Sequence, residues 1–142
     1  MFKKILVPVD GSKYAYKALD YALDLAKKYD AEIEIISVLP TIEIWNIPGY
    51  TDSNELNKML TYYKELLCKA EERAKNKNPD LKITSKFLQG RPSDQIIEAA
   101  SKEKTDLIVI ASRGIGEITG PRLGKVSGRV LRNAKCPVII IK

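Results

Sequence analysis

The sequence alternates short, nearly continuous apolar runs with longer segments in which apolar residues recur every three or four positions. Runs of the first kind are typical of buried strands, and segments of the second kind are typical of helices with one buried face. The resulting β-α-β-α-β-α-β-α-β order predicts an α/β fold, a doubly wound parallel sheet with helices on both faces. The runs that predict strands are residues 3–9, 31–39, 81–90, 106–112 and 137–141.

Four segments carry the helical spacing. The first begins after Ser12, a favourable residue for a helix N-cap, and ends near Tyr29. A second helix begins at Asp52, a third is capped by Ser93, and a fourth begins near Lys125. The apolar residues that we expect to face the core are Ala15, Ala18, Leu19, Ala22, Leu25 and Ala26, then Leu56, Met59, Leu60, Tyr63, Leu67, Ala70 and Ala74, then Ile96, Ile97 and Ala100, and finally Val126, Val130 and Leu131.

The length and the residue types limit the function classes. A chain of 142 residues fits a single domain over 1–142. The absence of histidine excludes His-based acid–base catalysis, the usual serine triad and His metal sites. Two cysteines without a CxxC pair predict neither a disulfide nor a zinc site. The N-terminus enters a strand directly and no stretch approaches ~20 apolar residues, so we expect a cytoplasmic protein without a membrane segment.

The positive charge is concentrated at one end of the sequence. The net charge is +6, and residues 111–142 carry seven basic side chains against Glu117 alone. Such a local field favours an anionic partner, which includes nucleotides, polyphosphates and nucleic acids, although a solvated basic helix face is an equal alternative. Aromatic residues do not interleave with the basic ones, so we do not expect a nucleic-acid partner. We interpret the tyrosines at 14, 16, 21, 62 and 63 as helix-packing residues rather than stacking platforms for bases.

The doubly wound fold predicts where a ligand would bind. Such folds bind ligands at the carboxyl ends of strands, where the strand order reverses. The segments that follow the first and fourth strands are Asp10 and Ala111 to Gly114. The Asp10 carboxylate could bind a ribose or an adenine, or could instead form an Asx turn or a helix cap.

A glycine-rich stretch, ASRGIGEITGPRLGKVSG, follows the fourth strand. It fails the P-loop pattern, because three residues rather than four separate Gly120 from Gly124 and Val126 follows the lysine. It also fails the GxGxxG dinucleotide pattern, and a receiver-type acidic site is incomplete with Asp10 alone. The unpaired N–H groups at the start of the helix near Lys125 would attract an anion, and glycines allow close approach. A mobile surface loop is the alternative interpretation.

The sequence resembles the universal stress protein family over essentially its full length. The matching pieces are KKILVPVDGS, DLIVIASRG and GKVSGRVLRNAKCPVIIIK. Nucleotide-binding members of that family carry a G-x2-G-x9-G-[ST] motif after the fourth strand. Its four positions fall here on Ala111, Gly114, Gly124 and Lys125, with the spacing kept and two residue types changed.

The resemblance implies a fold, a ligand and an assembly. The expected sheet order is 3-2-1-4-5, and the expected assembly is a homodimer through strand 137–141. The expected ligand is ATP, ADP or AMP, with Mg²⁺ or Mn²⁺ accompanying the nucleotide. Asp10 would contact the nucleoside, the Val38 backbone would contact adenine, and the loop with the Ser127 hydroxyl would hold phosphates. The implied binding residues are Pro8, Val9, Asp10, Val38, Ala111, Arg113, Gly114, Gly124, Lys125, Val126 and Ser127.

The two changed motif residues have different consequences. Ala111 adds a methyl group, which is a steric penalty if it points at the ribose or the α-phosphate and costs little if it points into the sheet. Lys125 lacks the motif hydroxyl but keeps the backbone N–H and adds a charge that could meet a phosphate or disturb a metal.

Three functions follow from the resemblance. The first is a small binding module that senses or signals stress through an adenine nucleotide and an unidentified protein partner. The second is a nucleotide-independent interaction protein, acting through its dimer surface and the segment 40–51, which contains Trp45. The third is a slow ATPase, which needs a base or a metal ligand placed to orient water. Because the chain has no histidine, Asp10 and Glu117 are the only nearby carboxylates for that role, and we rank this function below the others.

Overall fold

A computed structural model describes residues 2–41, 53–114 and 123–142. In this part of the chain a five-stranded parallel sheet has the strand order β3-β2-β1-β4-β5, as the resemblance implied. Helices connect the strands, which confirms the predicted α/β alternation. In chain order the elements are β1 (Lys4–Pro8), α1 (Lys13–Tyr29), β2 (Glu32–Leu39), α2 (Ser53–Lys77), β3 (Ile83–Gln89), α3 (Pro92–Lys102), β4 (Leu107–Ala111), α4 (Lys125–Asn133) and β5 (Val138–Ile141).

Both faces of the sheet are covered. Because side chains alternate along a strand, Ile5 and Val7 lie in the core under α1 and α2, whereas Leu6 lies in the core with residues of α3 and α4. β4 is buried along its whole length, which agrees with its continuous apolar run and central position. The sheet thereby brings the carboxyl ends of β1 and β4 side by side at one edge.

The sequence signals for α1 are confirmed. Ser12 caps the helix, and its hydroxyl oxygen accepts a hydrogen bond of 3.2 Å from the Ala15 N–H. The helix ends at Tyr29, and Asp30 follows in a left-handed conformation. The start of α1 is therefore fixed directly after the end of β1, where the ligand was expected.

Several residue-level predictions for the other helices are wrong. Ser93 does not cap its helix: α3 begins at Pro92, whose fixed φ suits a first helical position, and Ser93 lies buried inside the first turn. Leu131 is 43% exposed, because Val126 and Val130 define the inward line of α4 and the next residue is rotated about 100° away. In α1, Leu25 is only partly buried against the core, and the fully buried leucine next to it is Leu23.

Within the described residues, no helix combines the length and apolarity that crossing a bilayer requires. Cys68 and Cys136 are free thiols. Burial raises the pKa of Cys136, which lowers its thiolate fraction and its nucleophilicity.

Candidate functional site

The expected site lies where β1 and β4 end next to one another, and the structure brings Asp10 and Gly114 into contact there. A Cβ atom at Gly114 would lie 2.5 Å from Oδ2 of Asp10 and 3.7 Å from its Cγ. The first distance is shorter than a carbon–oxygen contact allows, so a side chain at 114 would require the Asp10 carboxylate to move. The second glycine of the motif therefore has a steric reason in this chain.

Asp10 forms the Asx turn that was one of its two predicted roles. Its Oδ1 accepts a hydrogen bond of 2.9 Å from the Ser12 N–H, and Gly11 between them has φ +85°. Its Oδ2 is turned towards Gly114. The turn orients the carboxylate towards the β4 side of the edge.

The start of α4 is anchored to the end of β4 at one carbonyl. The Ser112 carbonyl accepts hydrogen bonds from the Gly124 N–H at 2.8 Å and from the Ser127 hydroxyl at 3.0 Å. Ser127 is 3% exposed, and its hydroxyl also lies 3.3 Å from the Gly124 carbonyl. These bonds hold the helix start beside Asp10 and Gly114, but they direct the hydroxyl proton of Ser127 inward.

The first turn of α4 has the features of an anion site. Gly124 is the N-cap residue and provides no side-chain cap, and the turn contains no acidic residue. The N–H groups of Lys125, Val126 and Ser127 have no intrahelical acceptor by helix geometry. Lys125 is exposed, and the helix dipole adds to its positive charge. Val126 is half-buried and packs in the core under α3 and α4, so only its main chain faces the site.

The methyl group of Ala111 points into the core. Ala111 is 7% exposed and belongs to the apolar cluster that packs under α1 and α2, together with Val7 and Val109. The additional carbon at the first motif position is therefore accommodated by the sheet and does not face the loop. Arg113, half-buried, lies between this position and Gly114.

The β2 side of the edge presents main-chain groups. β1 ends at Pro8, which is in register with Ile36, and the Val9 N–H donates to the Ile36 carbonyl at 2.8 Å. The Leu39 carbonyl accepts from the Gly90 N–H, on the β3 side. Because successive residues of a strand direct their backbone groups to opposite neighbours, the N–H and C=O of Val38 point past the end of β1. A planar hydrogen-bonding group could pair with them there.

One residue at this edge was missed by the sequence reasoning. Tyr62 of α2 has its hydroxyl oxygen 3.2 Å from the position that a Cβ atom at Gly11 would take, and it is 49% exposed. The packing role that the sequence predicts for Tyr62 is wrong in this respect, and so is that of Tyr21, which is 51% exposed. No sequence signal indicates the contact, because it depends on how α2 crosses the β1–α1 loop.

Some predicted residues lie outside the described part of the chain. These are Glu117, Gly120, Trp45 and the remainder of the segment 40–51 beyond residue 41. Within residues 2–41, 53–114 and 123–142, no group of three or more Asp, Glu or Cys side chains is arranged to hold a metal ion.

A second charged cluster lies away from this site, at the amino ends of the strands. Lys4 contacts Glu103 at 3.2 Å and Glu34 at 3.8 Å, and Lys86 contacts Glu103 at 2.8 Å. Hydrogen bonds from Lys86 and Lys4 lower the pKa of the Glu103 carboxyl. The cluster ties β1, β2 and β3 to the end of α3, which is a structural role.

Comparison with known proteins agrees with the architecture. The profile described as the universal stress protein family matches residues 1–142. The universal stress protein MJ0531 of Methanocaldococcus jannaschii is 34% identical over 143 residues, which cover all of this chain and 83% of the relative. Universal stress protein UspA from Lactobacillus plantarum has the same fold, with a TM-score of 0.83, 23% identity and coverage of 99% and 98% of the two chains. A universal stress protein solved in complex with cAMP has a TM-score of 0.74 and 27% identity, over 99% of this chain and 96% of the other.

Proposed function

The chain belongs to the universal stress protein family, and on that premise we propose that it binds ATP or a related adenine nucleotide at the ends of β1 and β4. In this proposal the protein is a small module that senses or signals stress, and nucleotide binding controls its contact with a protein partner. A family member that is 27% identical was solved with cAMP, which supports an adenine nucleotide as the ligand class.

The observation that carries the proposal is the close approach of Gly114 to Asp10. A Cβ atom at 114 would lie 2.5 Å from the Asp10 carboxylate, so the two strand ends are in close contact at the edge where doubly wound folds bind ligands. The helix start beside it supplies unpaired N–H groups and a lysine. A surface loop with no ligand has no need for both features at one position.

Each part of the site has a role in the proposal. The phosphates lie on the N–H groups of Lys125, Val126 and Ser127, with the Lys125 ammonium as an added contact. The Ser127 hydroxyl acts through its bond to Ser112, which holds the helix start in place. Gly124 leaves room for the phosphates at the N-cap. Mg²⁺ or Mn²⁺ would accompany the nucleotide.

The nucleoside lies along the β1–β2 part of the edge. Asp10 contacts the ribose through the carboxylate that faces Gly114, and Pro8 and Val9 form the floor below it. Adenine pairs with the main-chain groups of Val38, which point past the end of β1. Ala111 and Arg113 form the β4 side of the site.

We also propose the homodimer that the family resemblance implied. β5 is an edge strand of the described sheet, and its residues, Val138–Ile141, are apolar yet only half-buried. An exposed apolar edge strand favours pairing with a second strand. A second copy of β5 would cover it.

A nucleotide-independent interaction protein is the second candidate. It is favoured by Lys125, which replaces the hydroxyl residue of the motif, together with the inward bond of the nearby Ser127 hydroxyl. In that case the fold would act through its dimer surface and the segment 40–51 alone.

Mass spectrometry and calorimetry distinguish the two candidates. The protein purified without added nucleotide is measured native and then denatured, and ATP, ADP and AMP are titrated with magnesium. We expect a co-purified adenine nucleotide or saturable binding whose affinity depends on the number of phosphates. No bound ligand and no heat at millimolar nucleotide would contradict the proposal and favour the interaction protein.

A further inference from the structure

Tyr62, a residue of α2, lies against the β1–α1 loop, which carries Asp10. Its hydroxyl oxygen is 3.2 Å from the position of a Cβ atom at Gly11, and Leu66, one turn later in α2, fills the space beside it at 3.4 Å. Gly11 has φ +85°, a conformation that glycine adopts without strain. The absence of a side chain at 11 thus allows α2 to place an aromatic ring directly against the β1–α1 loop.

The Tyr62 ring is not used for packing in the way its neighbours are. Leu66 is 5% exposed and Tyr63 packs against the core under α1 and α2, whereas Tyr62 is 49% exposed. Its ring also contacts that of Tyr63 edge to face, with centroids 5.4 Å apart.

The position of Tyr62 along the sheet edge is informative. α2 packs on β2 and β3, so Tyr62 reaches the Asp10 loop from the β2 side, opposite to Gly114 and the start of α4. The same side carries the main-chain groups of Val38 that point past β1. Phosphates at α4 and a sugar at Asp10 would therefore leave the base between Val38 and Tyr62.

We propose that Tyr62 forms the base-side wall of the site and packs its ring against the base of the bound nucleotide. This inference rests on the proposed nucleotide binding and adds the residue that recognises the base. Stacking on a tyrosine does not depend on phosphates, so Tyr62 contributes equally to the binding of adenosine, AMP and ATP. A half-exposed ring that contacts the β1–α1 loop and Tyr63 is suited to that role, because an aromatic side chain loses little rotamer freedom when the base binds.

The test compares two half-exposed tyrosines on neighbouring helices. Tyr62→Ala is expected to weaken the binding of adenosine, AMP and ATP by the same factor, about tenfold, as for a lost base–aromatic stack. Tyr62→Phe keeps the ring and is expected to bind within about threefold of the unmodified protein. Tyr21→Ala, which removes a tyrosine that is 51% exposed on α1, is the matched control and should leave all three affinities unchanged.

The outcomes separate this inference from the proposal beneath it. If the unmodified protein binds no adenine nucleotide, the proposed function fails and Tyr62 has no base to contact. If the unmodified protein binds adenine nucleotides and Tyr62→Ala binds them equally well, the proposed contact between Tyr62 and the base is wrong, whereas nucleotide binding stands. A Phe variant as weak as the Ala variant would also overturn the ring contact.

A photolabel keeps the inference testable if Tyr62→Ala does not fold. Irradiation of the unmodified protein with 8-azido-ATP, followed by peptide mapping, should label the peptide that contains Tyr62. Excess ATP should prevent the labelling. A label confined to other peptides would contradict the base-side position of Tyr62.

Discussion

A Cβ atom at Gly114 would lie 2.5 Å from Oδ2 of Asp10. Two loops that are more than one hundred residues apart in sequence thus meet so closely that a side chain at 114 would require the carboxylate to move. The hydrogen bond from the Ser12 N–H holds the other carboxylate oxygen, Oδ1, at 2.9 Å, so the carboxylate cannot turn away without losing the Asx turn. The contact connects the orientation of Asp10 to the identity of residue 114.

Gly114→Ala is expected to lower nucleotide affinity at least tenfold, because the methyl group displaces the carboxylate that faces the ligand. The free energy of unfolding should fall by about 1–2 kcal/mol, the usual range for overpacking. Gly128→Ala is the matched control, since the nearest described atom to a Cβ there is Nη1 of Arg132, at 3.4 Å. Calorimetry with ATP and urea unfolding of both variants check this. Equal affinities would mean that the contact between residue 114 and Asp10 is not part of the site.

Lys125→Gln is expected to weaken ATP binding about tenfold, the effect of one lost charge-assisted hydrogen bond. AMP binding should weaken less, because AMP lacks the outer phosphates that the exposed ammonium can reach. Lys135→Gln, which removes an exposed lysine beyond the end of α4, serves as the control for net charge. Titrations at one fixed ionic strength are required. A loss that is the same for AMP and ATP would place Lys125 away from the outer phosphates.

Ser127→Ala separates anchoring from ligand contact. The buried hydroxyl donates to the Ser112 carbonyl, so its removal should lower the free energy of unfolding by about 1 kcal/mol. The Gly124 N–H still satisfies that carbonyl, which limits the loss. Ser101→Ala, at an exposed position of α3, should change stability by less than about 0.5 kcal/mol. Unchanged stability with a large loss of ATP affinity would instead assign the hydroxyl to the phosphates.

The alternation of strands and helices was enough to predict the fold class, because strand-length apolar runs and helical spacing have few compatible arrangements. The strand order came only from the family resemblance, since each helix could in principle cross to either side of a neighbouring strand. Asp10 and Gly114 could be assigned to the site because carboxyl ends of parallel strands share one edge. Their separation could not, because it depends on how β1 and β4 are staggered.

Side-chain directions at the site required the structure. The sequence could not decide whether the Ala111 methyl group faces the ligand or the core, and the structure places it in the core. It likewise gave no indication that the Ser127 hydroxyl is directed inward or that Tyr62 reaches the Asp10 loop. These are contacts between elements that are distant in sequence, and local spacing carries no information on them.

The ion pair between α1 and α2 predicts a dependence of stability on acid pH. Hydrogen bonds from Arg73, at 2.7 Å and 3.0 Å, lower the pKa of Asp20 below its ordinary value of 3.8, with a further contribution from Lys77. A lowered folded-state pKa means that the stabilisation is complete above pH 3.8 and is lost as the pH falls through the lower folded-state value. The pair is partly exposed, so we expect at most about 1 kcal/mol.

Urea unfolding of Asp20→Asn at several pH values checks this. The variant should be less stable than the unmodified protein at pH 6, and the difference should decrease below pH 4. Asp24→Asn, at an exposed position of the same helix, is the control and should show a small, constant difference. A difference for Asp20→Asn that stays constant down to pH 2 would show that the pair does not couple to folding.

The edge strand β5 provides a specific test of the homodimer. The Ile108 and Ser112 N–H groups donate to the carbonyls of Pro137 and Ile141, so alternate, odd-numbered residues of β5 pair with β4. The N–H of Ile140 therefore points outward, to the free edge. Ile140→Pro should remove a hydrogen bond of the dimer and spare the sheet, whereas Ile139→Pro should break the ladder to β4 and lower the melting temperature. Light scattering should give a dimer for the unmodified protein and a monomer for Ile140→Pro, both folded by circular dichroism. A dimer that persists in Ile140→Pro would place the interface on another surface, because a strand pair through β5 needs that N–H.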